Sequence, residues 1–142
     1  MRRTALAGLS LLALSACAQT APGVSRAADL AVVMPMTGQQ VVLSGEMTTS
    51  RIPVGGSSTE PRHDLVIRAN GQTAISGNLV TYGVTTLEGY AGTMPLAAAC
   101  RSRELARADR QFDCGISLNG QPVGTMSFRA TPTGPMPPVV GG

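Results

Sequence analysis

The sequence predicts a mainly β fold, a small antiparallel sandwich or barrel, and three features point there. Apolar and polar residues alternate along short runs, as they do in strands with one buried face. Asn70-Gly71 and Asn119-Gly120 each separate two such runs. Asn-Gly is the strongest short-range hairpin signal because both turn residues must accept positive φ. About six to eight strands fit in about 100 residues, the density of a sandwich or barrel.

The first element in chain order is an export signal. Arg2 and Arg3 precede an apolar stretch from Ala5 to Leu14, the layout of a secretory signal peptide over residues 1–16. That stretch is about half the roughly 20 residues a helix needs to span a bilayer. Leu14-Ser15-Ala16-Cys17 resembles the lipobox of bacterial lipoproteins, in which an aliphatic residue and two small ones precede a cysteine. The resemblance is confined to residues 1–17. It implies a diacylglyceryl group on the Cys17 thiol and cleavage in front of it. Two acyl chains anchor stably where one is marginal, so the implied partner is a membrane. Ala18 stands where an aspartate retains many such proteins on the inner membrane. By resemblance the expected location is therefore the outer membrane, facing the periplasm.

Removal of the signal changes the charge of the chain. The 142-residue precursor has a formal charge of +3; without Arg2 and Arg3, nine arginines face eight acids. A nearly neutral chain lacks the clustered basic surface that nucleic-acid binding requires. Aromatic side chains are scarce, being limited to Tyr82, Tyr90, Phe112 and Phe128. The core must then come from Val, Ile, Leu, Met and Ala, and little remains for a stacking platform.

Residues 17–28 mix Ala, Gln, Thr, Pro, Gly and Ser without periodicity and read as a flexible tether. Residues 29–130 are the expected β-domain. Val41, Leu43, Gly45 and Met47 alternate with polar neighbours in a half-buried strand, and a loop is expected from Arg51 to Arg62. Asp64 to Ala69 and Thr73 to Ser76 flank the first Asn-Gly turn, and Leu79 to Tyr90 holds one or two more strands. Gly89 and Gly92 suggest a kink or bulge before Met94. Residues 97–108 fit either a short helix or a strand and loop. Phe112, Cys114, Ile116 and Leu118 then alternate up to the second Asn-Gly turn. Regular pairing beyond it would turn Met126 and Phe128 away from the core, so a bulge is expected near Gly124. Pro122 suits an edge strand. Residues 131–142 carry four prolines and three glycines and read as a disordered tail.

Chemistry is sparse. Cys100 and Cys114 are the two remaining cysteines, and in an oxidising compartment they are expected to form a disulfide. Two thiols and a distant His63 fall short of a metal's four ligands. His63 is the one histidine, adjacent to Asp64, but neighbours on a strand point to opposite faces, and it is expected to be a solvated loop residue. No nucleophile elbow, phosphate-cradling loop or metal motif occurs. The expectation is no catalytic residue, no cofactor and no metal. Arg101, Arg103, Arg107 and Arg110, offset by Glu104 and Asp109, form a candidate contact surface for an envelope protein or an anionic glycan. These readings suit a non-catalytic envelope lipoprotein that binds or supports a partner. The alternative is a small inhibitor of a lysozyme or protease, to which the chain is similar only in size and build.

Overall fold

The computed structural model describes residues 23–105 and 109–130. Nine antiparallel strands form two sheets. The first contains β1 (Val24–Arg26), β2 (Leu30–Val33), β3 (Gln40–Gly55), β4 (Ser58–Ala69) and β5 (Gln72–Leu79). β1 and β2 both pair with β3, followed in order by β4 and β5. The second sheet is a meander of β6 (Val84–Ala91), β7 (Met94–Glu104), β8 (Arg110–Leu118) and β9 (Gln121–Ala130). The protein is a small β-sandwich.

Alternation along the strands builds the core. Val41, Leu43 and Met47 of β3 and Leu65 and Ile67 of β4 face Leu96, Ala98, Phe112, Ile116, Met126 and Phe128 of the second sheet, all buried. The two aromatic rings of the core, Phe112 and Phe128, lie opposite one another on β8 and β9. Cys100 and Cys114 are also a directly opposed pair, on β7 and β8, and form the disulfide. In the open reading of residues 97–108, the described part runs as strand through Glu104, not as a helix.

Turn chemistry places the hairpins where the dipeptides indicate. Asn70 and Gly71 (φ 49° and 82°) close β4–β5, and Asn119 and Gly120 (φ 51° and 79°) close β8–β9. The bulge near Gly124 is present. Ile116 pairs with Gly124 while Ser117 pairs with Pro122, leaving Val123 as the extra residue. Met126 and Phe128 return to the core side in consequence, each 1% exposed. Pro122 lies on β9, an edge strand of its sheet.

Three expectations are corrected. The segment from Arg51 to Arg62 is not a loop; it is the outer half of the β3–β4 hairpin, turned at Gly55-Gly56-Ser57. Pro53 and Pro61 obscure it in sequence, yet a two-stranded ladder with open edges tolerates proline. Within the expected tether of residues 17–28, Val24–Arg26 is strand: it adds to the edge of β3, and Arg26 pairs with Glu46 at 2.9 Å. Gly89 marks no bulge: it pairs regularly with Leu96, and Gly92 (φ 65°) takes the β6–β7 turn. The bulge lies across from it on β5, where Ala74 is the unpaired residue. A Cβ on Gly89 would stand 1.8 Å from the Ala74 carbonyl oxygen. Gly89 thus lets the last strand of one sheet press against the first of the other.

The opposite corner closes through side chains. Arg129 N–H donates to Ser25 Oγ at 2.9 Å, tying β9 to β1. The Leu30 side chain fills the space beside Gly124. The sandwich therefore has two distinct poles. At one, Gly23 meets Thr49, which donates its N–H to the Gly23 carbonyl at 2.7 Å, and β9 ends at Ala130. The other carries the β2–β3, β4–β5, β6–β7 and β8–β9 connections.

Candidate functional site

At this second pole, three of the four connections, all but β4–β5, enclose an apolar groove of about 400 Å³. One wall is the segment from Val33 to Gln39. Met34 N–H donates to the Gln39 carbonyl and Gly38 N–H to the Met34 carbonyl, both at 2.8 Å, while Gln39 N–H reaches Thr37 Oγ1 at 3.3 Å. Gly38, at φ 66°, makes the turn that closes this ring. The loop is therefore held by its own hydrogen bonds, and it carries Met36 at 95% exposure beside Val33 at 64%. The other wall combines Met94 of β7 with Leu118 and Val123 of the β8–β9 hairpin. Asn119 N–H donates to the Pro95 carbonyl at 2.7 Å and fastens the two turns to each other.

Among the described residues, no charged side chain lines this groove. Its polar groups are the neutral side chains of Thr37, Gln39, Thr93, Asn119 and Gln121. Mostly apolar concavities of this size, rimmed by a few neutral hydrogen-bonding groups, are the usual form of binding sites. Three methionines contribute, and unbranched thioethers adapt to varied apolar shapes better than branched side chains. A continuous exposed apolar surface on an otherwise polar rim marks an interaction site. The arrangement is suited to gripping apolar side chains.

Of the predicted contact arginines, Arg101 and Arg103 lie on one face of their sheet and Arg110 on the other. Arg101 and Arg103 alternate outward on β7, where Arg103 pairs with Asp113 at 3.0 Å. Asp113 also accepts from Gln111 Nε2 at 2.8 Å and Ser127 Oγ at 2.7 Å. These two hydrogen bonds, followed by the Arg103 contact, hold its carboxyl below the usual carboxylate range. Arg110 lies on the Phe112 face of β8, so it turns to the other side of the sheet. Its guanidinium sits 4.5 Å from the centre of the Tyr82 ring, and its Nε donates to Ser102 Oγ at 2.9 Å. Arg107 lies outside the described residues, as do Cys17, the expected signal peptide of residues 1–16 and the Pro/Gly-rich segment 131–142.

His63 is the second departure from expectation. It is a buried residue of β4, 1% exposed, not a solvated loop side chain. Its Nδ1 is 3.0 Å from Thr49 Oγ1, its ring centre is 4.6 Å from that of Phe112, and Nε2 has no partner among the described residues. Burial, reinforced by repulsion from Arg110 and only partly countered by Asp64, lowers its pKa to about 4. The ring is thus neutral at pH 7. Asp64 faces the opposite side, where it accepts from Arg62 and Asn78. Among the described residues, no three His, Cys, Asp or Glu side chains cluster to hold a metal ion.

The apolar groove was not legible in sequence. Leu30 to Met36 reads as one more hydrophobic run, and its hydrogen-bonded loop depends on contacts between its two ends. Comparison with known proteins adds no neighbour: no family model, curated protein or solved structure matches this chain.

Proposed function

We propose that this protein is a non-catalytic component of the bacterial cell envelope, anchored by lipid on Cys17, whose groove grips an apolar segment of another envelope protein. The carrying observation is the opposition of the poles. The chain enters the sandwich at Gly23, at one pole, and the groove opens at the other, about 30 Å away along a ten-residue strand. An anchor ahead of Gly23 presents the groove away from the membrane. The uncharged lining favours apolar side chains over an anionic glycan, and Arg103 is already neutralised by Asp113.

The test is site-specific photo-crosslinking of the lipidated protein in its native envelope. A photoreactive residue at Met36 is predicted to capture one recurrent protein, and Val33→Asp is predicted to abolish the capture. Probes at Thr86 and at Thr125, on the outer face of the second sheet, serve as controls. Equal capture at all three positions, or capture insensitive to Val33→Asp, would remove the groove from the account.

A further inference from the structure

The outer half of the β3–β4 hairpin has no role in the core. Pairing with β5 stops at His63, opposite Leu79, and the β1 edge stops at the Thr49–Gly23 hydrogen bond. Beyond that level, Ser50 to Arg62 pair only with one another among the described residues, from Ser50 opposite Arg62 to Gly55 opposite Ser58. The result is a two-stranded arm. Six residues at about 3.3 Å each carry it about 20 Å past the last pairing with β1 and β5. An isolated ribbon of this kind is marginally stable in water. Its prolines, Pro53 and Pro61, make its edges poor templates for another strand.

The direction of the arm is informative. β1 runs antiparallel to β3, so the chain preceding Gly23 is fed from the side toward which the arm points. Six residue steps separate Cys17 from Gly23, at most about 20 Å of chain. The reach of the arm therefore matches the longest distance at which an anchor on Cys17 could hold the sandwich. Its chemistry fits the same surface. Val54 is 51% exposed near the tip, Ile52 is half-buried on the same strand, and Arg51 donates only to Thr59 Oγ1 among the described residues. A short apolar tip backed by an arginine suits the boundary between acyl chains and phosphate headgroups.

We infer that the Ser50–Arg62 arm is a membrane prop, resting its Val54 tip on the phospholipid surface that holds Cys17 and fixing the sandwich upright. The inference rests on the lipid-anchor reading. Its test uses the full lipidated protein in vesicles of zwitterionic and anionic phospholipid. A polarity-sensitive fluorophore is attached at Val54→Cys in one variant and at Met36→Cys in another. Lipid-borne shallow quenchers are expected to quench the Val54 probe several-fold more than the Met36 probe, with a blue shift at Val54 alone. Arg51→Glu is expected to reduce that quenching. Equal, weak quenching at both sites, in protein whose N-terminal mass carries the diacylglyceryl group, overturns the prop and leaves the anchor standing. An unmodified Cys17 overturns the anchor and the prop together.

Discussion

His63 shows how far a residue's surroundings can override its neighbours in sequence. Beside Asp64 and a Pro- and Gly-rich segment it reads as solvated; in the fold it is enclosed by Thr49 and Phe112. The long hairpin that encloses it is a tertiary fact that no local pattern announces. Its folded pKa of about 4 lies below the unfolded value of 6.5, so the unfolded chain binds more protons between those values. Stability is then full above about pH 6.5 and declines as pH falls toward 4. The whole shift corresponds to about 3 kcal/mol, and residual solvent screening reduces this to about 2. Urea denaturation across that range should show the decline. His63→Leu should flatten it, while the Arg110 and Asp64 charges remain in place. Gly89 makes the complementary point, because its reason lies on another strand. Gly89→Ala forces a methyl into the Ala74 carbonyl and is expected to cost about 3 kcal/mol or more, or to prevent folding, measured by the same denaturation.

At the scale of elements, the sequence was legible wherever information was local. Both Asn-Gly hairpins and the strands flanking them follow from turn chemistry and period-two alternation. The Gly124 bulge followed from a parity conflict: Ile116 and Phe128 cannot both face the core in regular register. The structure inserts Val123 at that place. Proline misled the reading at Pro53 and Pro61, where the penalty for a missing N–H is small because the ladder has open edges. The short β1 strand escaped because three residues of Val, Ser and Arg carry too little alternation to register. The disulfide clamps β7 to β8 across a loop of about 15 residues, for which chain entropy gives about 3 kcal/mol. Replacing both Cys100 and Cys114 with alanine should lower stability by about that amount in urea denaturation. Unchanged stability would show that the β7–β8 ladder holds without it.

At the scale of the whole molecule, the poles give the fold its functional sense. Binding chemistry was sought in the arginines because charge is visible in sequence. Strand parity then separated Arg101 and Arg103 from Arg110, and the groove arose from three connections far apart in the chain. Met36, being 95% exposed, can be changed to Asp with a stability effect within about 0.5 kcal/mol, yet the change should abolish partner capture in the native envelope. The proposed outward aspect of the groove and the proposed inward one of the arm both depend on an anchor at Cys17. The most direct measurement is therefore the mass of the N-terminal peptide of the mature protein, recovered from host membranes. A lipid anchor requires a chain beginning at Cys17 with a diacylglyceryl thioether. An unmodified Cys17, or a chain still carrying Arg2 and Arg3, would contradict it.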